Sequence, residues 1–463
     1  MTRSLTRLVA LITLIPLLGL GCKASIPAGA STPIKLTFWG VFDDASAYGT
    51  LIKNYRGQHQ NVSIEYRKFR IEEYDRELLN AFAEDRGPDI FMIHNTSIPS
   101  WFSKITPLPP SITMPVWSEQ GSIKKEIVVT MVPSASMTAT QMRRTFPDVV
   151  ARDAVIPTLV DERTGTKADR IYGIPTSIDT MALFYNKDLL SAAGIAEPPA
   201  DWATFSEDVQ KITKINPEGG IIQSGAAIGT SSNVERSTDL LALLMMQSGA
   251  VMTDDFGRPT FDQLPLIQGS TESPGAAATR FYTQFASPTR TTYTWSPSMP
   301  NSFEAFAAGK TAMMFGYSYH LPLIKARAPK LNFDVTSMPQ LQPDSPTYYA
   351  NYWLNSVSKK SKNVGPAWSF VQFLADPANV PTYLAATGKP PALRTLATVK
   401  TEDPYLPIWN NQVLTARSWY RGKDTATMEA AMKTLIDQYL AGGFEDVNAP
   451  VSEAVKKITQ TLQ

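Results

Sequence analysis

Between Ile34 and Ile93 the spacing of apolar residues switches repeatedly between two periods. "IKLTFWG" alternates and reads as a strand, whereas "DDASAYGTLIKNYRGQHQ" places apolar residues at helical spacing. "NVSIEYRKF" alternates again, "IEEYDRELLNAFAEDRG" is an amphipathic helix stopped by Gly87, and "PDIFMI" is a short buried strand. A chain that reads strand–helix–strand–helix–strand is held to βαβ units around a parallel sheet. Helices follow at "PPADWATFSEDVQKITKI", "STDLLALLMMQSG", "SPGAAATRFYTQFAS", "PNSFEAFAAGK" and "AWSFVQFLADP", with a strand at "TAMMFG" and a helical C-terminus. The fold class is therefore mixed α/β. Only 105–165, Pro-rich at "PLPPSITMP", resists assignment.

The first residues belong to another kind of element. "MTRSLTRLVALITLIPLLGLGCK" carries Arg3 and Arg7, an apolar run from Leu8 to Leu20, then small residues and Cys22. The run is shorter than the roughly 20 residues a membrane span needs and reads as an export signal over 1–21. Cys22 is the sole cysteine of the chain, so no intrachain disulfide can form and the fold must rest on its core. Its setting resembles a bacterial lipobox, although Gly19 stands where that pattern has Leu. The resemblance implies lipidation of Cys22, which anchors the protein to the cell membrane facing outward; two or more acyl chains suffice for stable anchoring. Residues 22–33, "CKASIPAGASTP", then read as a flexible tether.

Composition narrows the partners. The chain has 43 Lys and Arg against 42 Asp and Glu, a formal net charge of +1. Loss of Arg3 and Arg7 with the signal takes it to −1. Such balance speaks against general nucleic-acid binding. No later apolar run is long enough to span a membrane. With three histidines and no Cys/His cluster, no metal or cofactor is expected.

"IYGIPTSIDTMALFYNKDLL" sets a polar island, Pro175 to Asp179, between two apolar runs. Together with "GPDIF", "PPADWATF", "FAAGKTAMMFGYSY" and "AWSFVQFLADP", in that order, it resembles the extracellular solute-binding proteins of ABC importers, in particular the carbohydrate-binding group that includes maltose-binding protein. The resemblance implies a two-lobe periplasmic-binding-protein-like fold with several hinge-crossing segments and a ligand cleft between the lobes. It places 34–178 and 353–410 in the first lobe and 179–352 and 411–463 in the second. The polar island then becomes a crossing segment whose Thr176, Ser177 and Asp179 face the cleft. Aspartate is also common at turns and helix caps, which is the plainer explanation.

A sugar offers hydroxyls at its edge and C–H groups on its faces, so its site needs polar side chains and aromatic planes in an otherwise apolar pocket. In open α/β sheets such groups lie beyond the carboxyl ends of strands. Trp39 and Asp43 follow the first strand, His94 and Asn95 follow "PDIFMI", and Tyr317 and Tyr319 follow "TAMMFG". One of those two tyrosines is expected to pack inward. Asn351 and Trp353 lie on "YYANYWLNSVSKK", read as a return crossing. The resemblance adds Asn233 on a polar loop, and Trp419 and Tyr420 as an aromatic pair capping the cleft. Core packing is the alternative for each aromatic.

Catalytic motifs fail on inspection. "GKT" at Gly309–Thr311 has Glu304 where a phosphate loop needs glycine, and it lies between a helix and a following strand, the reverse of the required order. Ser356–Lys359 spells S-x-x-K without a following K-[ST]-G, and "NSVSKKSKN" reads as a solvated loop. A carboxylate pair for glycoside hydrolysis cannot be judged by counting, since pairing is spatial. The expectation is thus a monomeric, non-enzymatic, lipid-anchored receptor that traps a carbohydrate, an oligosaccharide, and hands it to an ABC permease. The alternatives are a same-fold receptor for glycerol phosphate, a polyamine or a peptide, and a surface hydrolase.

Overall fold

The computed structural model describes residues 32–120, 126–266 and 269–463; the signal segment and Cys22 lie outside them. Strands β1 (Ile34–Val41), β2 (Val62–Phe69) and β3 (Ile90–His94) run parallel and are joined by helices Ala45–Gln58 and Ile71–Ala83. The apolar stripes of these helices bury Tyr48, Leu51 and Tyr55, and Tyr74, Leu78 and Phe82. Gly40 is required where β1 meets its neighbours: a Cβ there would lie 2.7 Å from Met92 Sδ and 2.8 Å from the Tyr66 hydroxyl.

The segment that resisted sequence reading forms β4 (Ile105–Thr106) and two antiparallel hairpins. The first pairs β5 (Ser111–Gln120) with β6 (Glu126–Ala135), and the second pairs β7 (Val155–Asp161) with β8 (Thr166–Ile171). Ile112, Met114 and Val129 are buried, but Ile127 and Val132 on the same hairpin are 66% and 38% exposed. Apolar residues on both faces erase the alternation that marks a half-buried strand. Helix Asp148–Ala154 lies between the hairpins.

After the short strand β9 (Asp179–Thr180) the chain builds a second sheet from β10 (Ala182–Asn186), β11 (Lys214–Ile215), β12 (Ile221–Ala226), β13 (Thr311–Gly316) and β14 (Phe333–Thr336), in the order β11-β12-β13-β10-β14. Helix Ser237–Gln247 is buried at every position, as suits a helix that is mostly apolar all round. It sits under helices Pro274–Thr283 and Thr425–Ala441. Its Gln247 side chain takes the Trp202 indole N–H at 2.6 Å and donates to the carbonyls of Pro339 and Thr347.

The chain returns through β15 (Tyr348–Asn351) and enters the first sheet as β16 (Trp353–Ser358). That strand inserts antiparallel between β3 and β4, giving the order β2-β1-β3-β16-β4. Ser356 and Ser358 are therefore buried strand residues and not part of a solvated loop; the Ser356 hydroxyl donates to the Tyr172 carbonyl at 2.8 Å. A last crossing, β17 (Ala416–Arg417), pairs with β15, which pairs with β9. Three passages of the chain thus lie side by side between the two sheets.

Two large apolar clusters flank these crossings. One joins residues of 36–178 to Leu354–Ala397, with Phe38, Tyr55, Trp368 and Phe370 in its interior. The other holds residues from Met181 to Tyr349 and Trp419 to Ile458. Near residue 410 the chain touches both sides: Trp409 packs with Phe184 and Met314 of the second sheet and donates its indole N–H to the Thr180 carbonyl, whereas Val413 and Ala416 join the first cluster. Among the described residues no helix is long and apolar enough to cross a membrane.

Candidate functional site

The crossings bring together side chains from both sheets. Asp179 pairs in register with Asn351, and the Asn351 amide oxygen lies 3.2 Å from His94 Nε2. Trp353, paired with His94 across β16 and β3, stands edge-on to His94 at 5.6 Å and to Phe42 at 5.7 Å between ring centroids. On the other side, Asp179 accepts from the Ser318 N–H at 3.0 Å and the Ser318 hydroxyl at 2.6 Å. Ser318 leads to Tyr319, whose ring stacks 4.2 Å from His320 and 5.9 Å from Tyr317. A continuous strip results: Phe42, Trp353, His94, Asn351, Asp179, Ser318, Tyr319.

The strip carries exposed aromatic surface at each end. Phe42 is 50% and Tyr319 43% exposed. Phe42 has φ +67°, a left-handed backbone that is costly for a bulky residue; the bend at the end of β1 turns its ring out toward Trp353. Such strain concentrates at functional sites. Of the two tyrosines after β13, Tyr317 turns inward, fully buried with its hydroxyl on Asp239 at 2.6 Å, and Tyr319 turns outward.

Electrostatics give the polar members distinct characters. Burial pushes the Asp179 carboxyl up to about 6, against the pull of the Ser318 and Thr180 donors. Burial, and then the charge of Arg236 on the second lobe, push His94 down to about 4, so it serves as a neutral imidazole. Its Nδ1 pairs with the Thr96 hydroxyl at 2.7 Å, which fixes the ring.

Several expected residues are elsewhere or already occupied. The Asp43 carboxylate is buried and tied to Lys389 at 2.6 Å and to the Tyr383 hydroxyl at 2.7 Å. Asn95 is buried and donates to Asp153 at 2.9 Å. Asn233 staples its own loop, donating to the carbonyls of Ser296 and Met299 and accepting from the Trp295 indole N–H. Thr176 is 2% exposed. Trp419 and Tyr420, expected to cap the cleft, are buried in the second cluster, where Trp419 meets Phe261 edge-on at 5.8 Å and the Tyr420 hydroxyl donates to Thr461. Trp39 is half-buried against Phe69, with Arg67 over both rings.

Residues missed by sequence reading fill the surroundings. Phe42 follows the last residue of β1, three positions after Trp39, which was the available signal. Arg236 precedes helix Ser237–Gln247 with φ +54° and is bound by Asp239 through two nitrogens at 2.8 Å. Asp153 is fully buried and collects Asn95, Tyr352, Ser418 and Arg421. Nothing in the local sequence marks that convergence.

Comparison with known proteins agrees with this architecture. The chain is 17% identical to the cyclic α-maltosyl-1,6-maltose binding protein of Arthrobacter globiformis, with TM-score 0.68 over 93% of this chain and 99% of the other. It is 18% identical to the sugar-binding protein MalE of Xanthomonas citri, with TM-score 0.67 over 92% and 97%. A solute-binding protein of Thermotoga lettingae bound to α-D-tagatose matches with TM-score 0.63 at 17% identity over 93% and 100%. At these identities the likeness is one of fold: two lobes around a hinge. A Brucella abortus protein named as a binding protein is 26% identical over 220 residues, 47% of this chain; the chain spans about half the length of that relative (48%). Residues 50–416 match the family model described as bacterial extracellular solute-binding protein. The chain belongs to that family.

Proposed function

We propose that this protein captures a carbohydrate, an oligosaccharide, between its two lobes and delivers it to an ABC permease while lipid-anchored through Cys22. The observation that carries the reading is the strip from Phe42 to Tyr319. It sets hydrogen-bonding groups (His94, Asn351, Asp179) between partly exposed aromatic surfaces contributed by opposite lobes. Aromatic planes match the C–H faces of a sugar, and the amide, carboxylate and imidazole match its hydroxyls. Two proteins of the same fold are a solute-binding protein bound to α-D-tagatose and a cyclic α-maltosyl-1,6-maltose binding protein.

The lobes proposed are 34–178 with about 353–410, and 179–352 with about 411–463, acting as a monomer. Ligand contacts on both lobes would favour the closed state by their differential affinity. The permease would then read the closed form. The test is thermal shift followed by calorimetry with maltotetraose, mannotriose and tagatose, and with glycerol phosphate, spermidine and a tripeptide as the non-sugar set. Saturable binding of an unmodified sugar supports the reading. Binding confined to the non-sugar set refutes it.

A further inference from the structure

The ion pairs around the hinge form an asymmetric pattern. Lys389 lies 2.6 Å from Asp43, and Arg421 lies 2.6 Å from Asp153. Arg236 binds Asp239 at 2.8 Å and Glu429 at 3.3 Å. Each of these cations is therefore already held by a carboxylate. The carboxylates are not all matched in return. Every hydrogen-bond donor to Asp179 is neutral: the Thr180 N–H, the Ser318 N–H and the Ser318 hydroxyl. Glu235 is bound at 2.7 Å by His320 Nε2, while His320 Nδ1 accepts from the Tyr317 N–H. A ring nitrogen that accepts carries no proton, so His320 meets Glu235 as a neutral donor. Asp239 and Glu429 share one arginine. The sum at the cleft is an excess of negative charge and no unpaired cation among these groups.

Resting on the carbohydrate reading above, we propose that the cleft selects its ligand by charge: it admits neutral and amine-bearing carbohydrates and rejects those carrying carboxylate or phosphate. An anionic ligand entering this site meets Asp179 and Glu235, neither held by a lysine or arginine among the described residues, and must compete with carboxylates for Lys389, Arg421 and Arg236. Like charges juxtaposed in a partly desolvated site are strongly unfavourable, and a cleft of one sign also depletes the local concentration of that sign. An amine on the ligand, in contrast, supplies the counter-charge that Asp179 lacks. Burial raises the proton affinity of Asp179 against the pull of its neutral donors and of the Lys389 charge, which is itself paired to Asp43.

The experiment uses maltotriose, mannotriose and cellotriose, each as the neutral sugar, as its C6-carboxylate derivative and as its C6-amine derivative, measured by calorimetry at low and high salt on the full chain. For whichever backbone binds, the carboxylate form is expected to bind about tenfold or more weakly than the neutral form at low salt. That gap should narrow at 1 M salt, where the screening length is only about 3 Å. Asp179→Asn should reduce the preference for amine over carboxylate; Glu235→Gln provides the same readout should the first variant not fold. Equal or tighter binding of a carboxylate form overturns the charge selection and leaves the carbohydrate reading standing. Failure of all nine sugars to bind overturns both.

Discussion

The replacement Arg421→Met tests the densest polar contact between the lobes. Asp153 comes from the first lobe and has no exposed side-chain surface; Arg421, next to Tyr420 of the second cluster, is 23% exposed. One Asp153 oxygen accepts from the Ser418 hydroxyl and from Arg421 Nη2, both at 2.6 Å. The other accepts from Asn95 at 2.9 Å and from the Tyr352 hydroxyl at 2.7 Å. Methionine keeps the aliphatic bulk and deletes the only cation. Removing one member of a buried pair costs about 3–5 kcal/mol. Three neutral donors still solvate the carboxylate, so the lower end, about 3 kcal/mol, is expected. Asp153→Asn strands an arginine that can reach water and should cost less, about 2 kcal/mol. The double variant leaves no bare charge and should fall short of the sum by more than 1 kcal/mol, as directly contacting residues do. Urea unfolding followed by tryptophan fluorescence measures all four proteins, and an unchanged m-value confirms that stability alone has shifted. A cost for Arg421→Met below about 0.5 kcal/mol, or additivity within about 0.5 kcal/mol, would refute the reasoning.

Three further outcomes are expected. Trp353→Ala and Phe42→Ala should each weaken ligand binding by about ten- to a hundredfold, the worth of roughly 1.5–3 kcal/mol of apolar contact; Trp419→Ala should instead lower unfolding stability by about 3–5 kcal/mol with little change in affinity, which calorimetry and denaturation separate. Because the Asp179 carboxyl is raised to about 6, its acceptor capacity is full above that pH and lost as pH falls through it, so affinity should drop about tenfold from pH 7.5 to 5, and Asp179→Asn should flatten the profile. Finally, Cys22→Ser should move the protein to the soluble fraction in detergent partitioning; unchanged partitioning with unchanged lipid labelling would exclude the anchor.

The order of strands and helices was legible wherever one face of an element meets water. Tyr48, Leu51 and Tyr55 repeat at helical spacing because their helix has a wet side. The hairpins of 105–165 were not legible, since Ile127 and Val132 are apolar yet exposed. The site was legible in part. The polar island and Trp353 were visible because strand periodicity breaks at a crossing. Trp419 packs in the second cluster and Asn233 staples its own loop, placements that sequence leaves open because an aromatic or an amide reads identically in a core and in a cleft. Asp153 was invisible because its partners Asn95 and Arg421 lie on remote segments, and convergence of distant residues leaves no local mark. The αL turn at Phe42 lacked the usual glycine, so no residue type announced it.

The insertion of β16 has a consequence for how the molecule is made. The first sheet lacks its link between β3 and the edge strand β4 until Trp353–Ser358 arrives, and the His94–Asn351 contact spans 257 positions of sequence. Non-local pairing of this kind slows folding, since the intervening loop must close before any contact rewards it. Until residues 353–358 have been synthesised the N-terminal segment lacks a strand of its own sheet, so that sheet is completed only after most of the polypeptide has been made.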